Sequence, residues 1–197
     1  MRTIALAFFA LILGAAPAAA QMDPAAQTVQ SFYDSLVDTM KHGKELGFKG
    51  RYEKLKPAVE QAYDIADMTK FVSGTGWASF SADDQKELTV AFERMTIANY
   101  ASNFDSFGGE KFTVDPAVQA RGSDKIVQSK LVTGGQTIPF NYRMREVGGS
   151  WKILDVYLNG SISELATRRS DFGATVSAGG AQALVKKINA LSDSLTK

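Results

Sequence analysis

The order of apolar and polar residues divides the chain into a helical first half and an extended second half. Over Pro24–Met40, apolar residues recur every three or four positions, which is the period of one helix face. Over Lys41–Gly50, glycines and basic residues predict a loop, and a second helix is predicted around Tyr52–Val59. Ser81 and the acidic residue three positions later resemble a capping box, so a longer helix is predicted over Ser81–Phe104.

The helix predicted over Ser81–Phe104 is apolar on more than one side. A helix with one side in water needs a single apolar stripe. We therefore expect this helix to be packed on two sides or to line an apolar space. The two stripes are Leu88, Phe92 and Met95, and Val90, Ile97 and Phe104.

The second half of the chain has the two-residue period of β-strands. Four strands are predicted, over Phe112–Val114, Ile126–Val132, Thr137–Arg145 and Trp151–Leu158. Glycine pairs between the last three strands predict hairpin turns. A helical period returns after the fourth strand. The sequence therefore predicts a single α+β domain, a curved antiparallel four-stranded sheet wrapped by helices.

The first 20 residues have the pattern of a secretory signal peptide. A basic start is followed by an apolar run and then by Ala18-Ala19-Ala20. The apolar run is shorter than the roughly 20 residues that a membrane-spanning helix needs. We expect cleavage after residue 20, a domain over residues 21–197, export from the cytoplasm and no stable insertion into a membrane.

Composition argues against several classes of function. The chain carries 22 basic and 21 acidic residues, and this balance does not suit binding to nucleic acid, which rests on neutralising phosphates. It has no cysteine and one histidine, His42, so neither a metal site nor a nucleophile–histidine pair is predicted. No cofactor-binding glycine motif is present, and no cofactor is predicted.

The sequence allows two roles for the carboxylate of Asp155. In an apolar pocket it could serve as a general base. The alternative, which we favour, is a structural aspartate paired with one of the arginines Arg143, Arg168 and Arg169.

The end of the last predicted strand resembles a known family. Trp151-Lys152-Ile153-Leu154-Asp155-Val156, followed by Gly160, Ser163, Arg169 and Phe172, is similar to the signature of the MlaC or toluene-tolerance family of periplasmic lipid carriers. Upstream, Arg51, Leu55, Pro57, Tyr63-Asp64, Met68 and Trp77 occur in the order that this family shows. The resemblance extends over nearly all of residues 21–197.

Within that family, the chain is most similar to the hopanoid-associated branch, called HpnM. The phospholipid-carrying branch has a tyrosine before the signature arginine, where this chain has Arg168. The stretch 158–170 looks more like HpnM, which raises a polycyclic triterpenoid as a ligand beside phospholipid. Arg168 and Arg169 could meet an anionic headgroup, although a salt bridge or a solvated helix face is the reading we favour.

The resemblance implies a helix-wrapped curved sheet that buries a lipid, either a hopanoid or a phospholipid, and shuttles it between the inner and outer membranes. Its partners would be a membrane donor complex and a membrane acceptor complex. No covalent chemistry is expected. Together with the apolar faces above, it predicts a lipid-binding wall of Phe32, Leu36, Met40, Phe92, Met95, Ile138, Phe140, Tyr142, Met144, Trp151 and Ile153.

Two alternatives remain open at this point. The first is a small enzyme of the nuclear-transport-factor-like cone fold, acting on a hydrophobic substrate with Asp155 and Tyr142 in its pocket. The second is a periplasmic adaptor or chaperone that grips protein through a shallow apolar groove.

Overall fold

Helices precede and follow an antiparallel sheet in the computed structural model, which describes residues 22–196. The helices are α1 (Pro24–Lys41), α2 (Gly43–Ala62), α3 (Ile65–Ser73), α4 (Ala82–Asn103) and α5 (Glu164–Ser194), with a 3-10 turn at Gly74–Ser79. The strands are β1 (Lys111–Arg121), β2 (Asp124–Thr133), β3 (Gln136–Val147), β4 (Ser150–Leu158) and β5 (Ile162–Ser163). The predicted signal peptide lies outside the described residues.

The sheet is an antiparallel meander in the order β1-β2-β3-β4-β5. This confirms the α+β prediction, but the predicted number of four strands is wrong. The fifth strand, β5, has only two residues and pairs with the end of β4, with Tyr157 opposite Ser163. A strand of two residues leaves no alternation to detect, which is why the sequence pattern missed it.

Hairpin turns of two glycines join β2 to β3 and β3 to β4, as predicted. Gly134 and Gly135 have φ angles of 55° and 77°, and Gly148 and Gly149 have φ angles of 58° and 82°. Positive φ at both central residues gives the turn a twist that matches the flanking strands, and glycine adopts it without steric cost.

Polar side chains start the long helices where the sequence predicts them. Asp23 accepts a hydrogen bond from the backbone N–H of Ala25 at 2.8 Å. The Ser81 hydroxyl accepts from the N–H of Asp84 at 3.1 Å and donates to the Asp84 carboxylate at 2.7 Å. The contacts from the backbone N–H groups of Ala25 and Asp84 satisfy donors that the first turn of a helix leaves without a partner.

The loop predicted over residues 41–50 is wrong for most of its length, because helix resumes at Gly43 after a break at His42 and is interrupted only by a kink at Gly47, where φ is 62°. A side chain at Gly43 would place its Cβ 2.0 Å from the backbone oxygen of Asp105, so only glycine allows this close approach. Arg51 fastens the same region by donating to the backbone oxygens of Ala101 at 2.7 Å and Gly43 at 2.8 Å. Non-local contacts therefore override the local loop signal.

Helix α4 is packed on more than one side, as its two stripes predict. Leu88 and Ile97, one from each stripe, are fully buried. Val90 departs from the prediction, since 60% of it is exposed. Among residues 22–196, no helix combines the length and the apolar character needed to cross a bilayer.

A buried carboxylate organises the outer face of the sheet. The side chain of Asp124 is 4% exposed, and it accepts from the Nε of Arg143 at 2.6 Å and the Nε of Arg145 at 2.7 Å. Arg145 also reaches Asp67 of α3 at 3.3 Å. The Arg145 hydrogen bonds, followed by those of Arg143, lower the pKa of Asp124 against the opposing effect of burial.

We expect Asp124→Asn to lower the free energy of unfolding by about 1–3 kcal/mol at neutral pH, because the substitution removes the negative charge that both arginines bind. The pKa of this carboxyl group is lower in the folded state than its ordinary value of about 3.9. The group therefore stabilises the fold at pH values above about 3.9, and this stabilisation is lost as the pH falls through the folded-state pKa. The difference in free energy of unfolding between wild type and Asp124→Asn should therefore become smaller below about pH 4.

Denaturant unfolding at a series of pH values measures this difference. Asp171→Asn, at an exposed position of α5, is the control and should stay within about 0.5 kcal/mol of wild type. If Asp124→Asn lowered the free energy of unfolding by the same amount at pH 7 and at pH 3, the ionised carboxylate would not be the source of the stabilisation.

Candidate functional site

A cavity of about 390 Å³ lies between the inner face of the sheet and the surrounding helices. Its volume is near the lower end of the range of about 300–1,000 Å³ that is usual for small-molecule sites. Most of its wall is apolar or aromatic. The lining residues are Tyr33, Leu36, Met68, Phe92, Met95, Thr96, Asn99, Tyr100, Asn103, Phe104, Phe112, Phe140, Tyr142, Val156, Leu158, Glu164, Leu165 and Arg168.

Five residues of the predicted wall line this cavity. They come from three separate elements of the fold: α1 provides one, α4 two and β3 two. These residues are Leu36, Phe92, Met95, Phe140 and Tyr142. The alternation of β3 and the stripe of α4 therefore face one another across the space.

The other six predicted residues do not line it. Phe32, Met40, Met144 and Ile153 are buried in the hydrophobic core, and Ile138 and Trp151 are half-buried. At the Met144 end of the sheet, the segment between α2 and α3 pairs with the edge of β4: Asp64 N donates to Ile153 O at 3.0 Å, and Tyr63 forms a parallel bridge with Ile153. Helices α1, α2 and α3 all contact β4, so the inner face is covered by packed helices at this end.

Phe32 and Trp151 instead border a second hollow of about 350 Å³ between α1, α2 and the start of β4. Its wall is more polar and includes Gln27, Thr28, Ser31, Ser35 and Gln61. The Trp151 ring is already covered, because the Lys125 ammonium lies 4.2 Å from its centroid. This hollow does not have the character of an apolar ligand site.

Aromatic side chains support one another around the first cavity. Tyr33 packs against Phe112 with ring centroids 4.5 Å apart, and against Tyr142 at 5.8 Å in an edge-to-face arrangement. Tyr100 packs edge-to-face on Phe32 at 4.9 Å. Such pairs stabilise a fold by about 0.5–1.5 kcal/mol each beyond the area they bury, so the wall is firmly positioned.

The hydroxyl groups of Tyr33 and Tyr100 in this wall are paired inside the protein. The Ser129 hydroxyl donates to the backbone oxygen of Phe140 at 2.6 Å, so Tyr33, at 2.7 Å, is the donor to Ser129. The hydroxyls of Tyr63 and Tyr100 bond to each other. These contacts let tyrosine stand in an apolar wall without an unsatisfied polar atom.

Burial keeps these phenols neutral. It raises the pKa of Tyr33 to about 12, although the hydrogen bond to Ser129 acts in the opposite direction. Burial likewise raises the pKa values of Tyr63, Tyr100 and Tyr142. A phenol with a raised pKa can form hydrogen bonds but is a poor general base at neutral pH.

Asp155 lies outside the cavity wall, and its predicted pairing with an arginine is wrong. Its carboxylate accepts hydrogen bonds from the backbone N–H of Val156 at 2.8 Å, the N–H of Leu165 at 3.1 Å and the Ser163 hydroxyl at 2.6 Å. The register places Arg143 opposite Asp155, but an irregularity follows at once in β4. Arg143 binds Asp124 instead, and Asp155 fastens β5 and the start of α5.

The predicted wall left out several residues that line the cavity. Phe104 and Phe112 flank the connection from α4 to β1; the sequence placed them in an apolar stripe and a strand but gave no sign that these two ends meet at the cavity. Val156 and Leu158 could have been found, since they continue the alternation of β4 opposite Tyr142 and Phe140. Arg168, considered as a possible contact for an anionic group, is half-buried at the cavity wall.

Comparisons with known proteins identify the family to which this chain belongs. Residues 30–190 match the family model described as MlaC protein. The chain belongs to the MlaC family. It is 27% identical over 147 residues to the toluene tolerance protein ttg2D of Pseudomonas putida, a match that covers 69% of this chain and 67% of that protein.

A solved structure has the same fold. The phospholipid-binding protein from Ralstonia solanacearum, determined in complex with a phospholipid, superposes with a TM-score of 0.78 at 19% sequence identity. The superposition covers 89% of this chain and all of the Ralstonia chain. The MlaC fold predicted from the signature residues is thus confirmed, whereas the HpnM branch stays a prediction.

We expect Asp155→Asn to lower the free energy of unfolding by about 1–2 kcal/mol, because the amide cannot replace every acceptor that the carboxylate offers. The measurement is urea denaturation, again with Asp171→Asn as the exposed control on α5. A variant as stable as wild type would show that the three hydrogen bonds of Asp155 do not hold β5 and α5 in place.

Proposed function

We propose that this protein is a periplasmic lipid carrier that takes a lipid into the cavity and moves it between the inner and outer membranes. The observation that carries the proposal is the apolar cavity of about 390 Å³ between sheet and helices in a chain of the MlaC family. The signal-peptide pattern of residues 1–20 supports export. The carrier would dock on one membrane complex to receive the lipid and on another to deliver it.

The energetics of transfer explain why such a cavity is needed. A lipid that leaves a bilayer loses about 0.8 kcal/mol for each methylene group exposed to water. An apolar wall offsets that loss, so extraction becomes feasible without covalent chemistry. Met68 and Met95 in the wall suit variable acyl or ring shapes, because methionine is unbranched and adapts to irregular gaps.

The ligand would be a phospholipid or a hopanoid. Phospholipid is favoured by the structural relative, which was determined with one bound. The HpnM-like stretch 158–170 favours a hopanoid. Aromatic walls suit either class, since both acyl chains and fused rings pack on apolar surfaces.

The two alternative functions fit the geometry less well. An enzyme of the cone type needs the Asp155 carboxylate in the cavity near Tyr142. The carboxylate is instead bound by the Ser163 hydroxyl and by the N–H groups of Val156 and Leu165, and it is not part of the cavity wall. A chaperone that grips protein would need a shallow exposed groove. The cavity here lies instead between sheet and helices, walled by side chains of which Tyr33, Phe92, Met95 and Tyr142 are almost fully buried.

Protein recovered from its own cell envelope tests the proposal directly. Native mass spectrometry should find lipid bound in the periplasmic fraction, and N-terminal sequencing should start near Gln21. Protein found only in the membrane fraction with residues 1–20 intact, or periplasmic protein free of lipid, would refute the proposed carrier.

We expect Phe140→Ala to reduce lipid retention more than it reduces stability. Phe140 is half-buried and lines the cavity, so its loss should cost less than the roughly 3–5 kcal/mol of a fully buried phenylalanine. The control is Leu184→Ala, a fully buried position of α5 outside the cavity wall, which should cost about 2–5 kcal/mol.

Denaturant midpoint and lipid bound per protein are measured for both variants. Leu184→Ala should keep its lipid as long as it stays folded. If both variants lose stability alike and retain lipid alike, the site does not lie at Phe140.

A further inference from the structure

The charges at the cavity wall are few and of both signs. Of the described residues that line the cavity, only Glu164 and Arg168 carry a charge. Both belong to the first turns of α5 and both are half-buried. Residues at positions i and i+4 of a helix lie on the same side, with Cβ atoms about 5–6 Å apart.

Neither charged group has a partner in the described part of the chain. Among residues 22–196, Glu164 and Arg168 form no salt bridge with each other or with another residue, and their side chains make no hydrogen bond. The neighbouring Arg169 differs, because its guanidinium lies over the Phe71 ring at 5.1 Å. A half-buried charge without a partner is costly, and a ligand can offset that cost.

The Glu164 carboxylate acts on the interior of the cavity. Tyr100 lines the same wall, and its pKa is raised first by burial and further by the negative charge of Glu164. Because Glu164 itself lines the cavity, its carboxylate borders the space that a ligand would occupy. Apart from the tyrosines, the other polar residues of the wall are Thr96, Asn99 and Asn103 of α4, and all three are neutral.

We propose that Glu164 and Arg168 select a ligand with a zwitterionic headgroup, in which a phosphate binds Arg168 and an ammonium binds Glu164. This rests on the proposed function. Guanidinium matches phosphate by two parallel hydrogen bonds, and a carboxylate is the natural acceptor for an ammonium. A purely anionic head is attracted by Arg168 and repelled by Glu164, and an uncharged head leaves both charges unpaired.

The test is a competition for headgroups at constant acyl chains. Delipidated protein is incubated with vesicles that contain equal amounts of phosphatidylethanolamine, phosphatidylglycerol and diacylglycerol with matched chains. The protein is then isolated and its lipids are measured by mass spectrometry. The variants are Arg168→Gln and Glu164→Gln, with Arg169→Gln and Asp171→Asn as controls at exposed positions of α5.

Wild type should enrich phosphatidylethanolamine over both competitors by about fivefold. This ratio corresponds to the binding contribution of one partly exposed ion pair. Arg168→Gln should abolish the enrichment over diacylglycerol. Glu164→Gln should shift the preference towards phosphatidylglycerol, because the repulsion of an anionic head is gone. Both controls should keep the wild-type ratios.

Two results would overturn the inference while lipid carriage stands: uptake of all three lipids in equal amounts, or the same loss of enrichment in Arg169→Gln as in Arg168→Gln. Failure of wild type to take up any of the three lipids would overturn this inference, and failure to take up a hopanoid as well would overturn the proposed function itself.

Discussion

The division of the sheet's inner face into a closed half and an open half is the constraint on which the site depends. Near Met144, Asp64 N donates to Ile153 O and fixes the α2–α3 connection along the edge of β4, so that α1, α2 and α3 pack on this end of the sheet. A β-sheet twists along its length, so helices docked closely at one end diverge from it at the other. The cavity lies at that other end, where Phe140 and Leu158 face α4 and α5 across the gap.

An open gap in a protein core is costly unless its wall resists collapse, because unfilled space forfeits packing contacts. Aromatic rings supply that resistance. Tyr33 is fixed by Phe112, Tyr142 and a hydrogen bond to Ser129, so it cannot swing into the space without losing all three. The paired hydroxyls explain why tyrosine serves here as well as phenylalanine: each adds a directional bond to the ring contacts.

The sequence predicted the α+β class, the start of α4 and the hairpin glycines because these depend on local periods, caps and turn geometry. It predicted apolar faces but not which part of each face meets the gap. Leu36 and Met40 belong to the same stripe of α1, yet only Leu36 lines the cavity. That difference follows from the distance between sheet and helices, which distant parts of the chain determine. The same limit applies to Asp155, which an irregularity in β4 turns away from Arg143 and towards Ser163.

A carrier has to release what it holds, and the wall and the charged end serve this need in different ways. The apolar wall offsets the transfer cost without shape-specific contacts, and Met68 and Met95 can repack as the ligand leaves. Glu164 and Arg168 are only half-buried, so water and salt weaken their attraction for a headgroup to about the strength of a surface ion pair. Selection then stays in the range of a few-fold and does not trap the ligand. A fully buried ion pair would select more sharply, but its rupture during release would leave a desolvated charge and slow delivery.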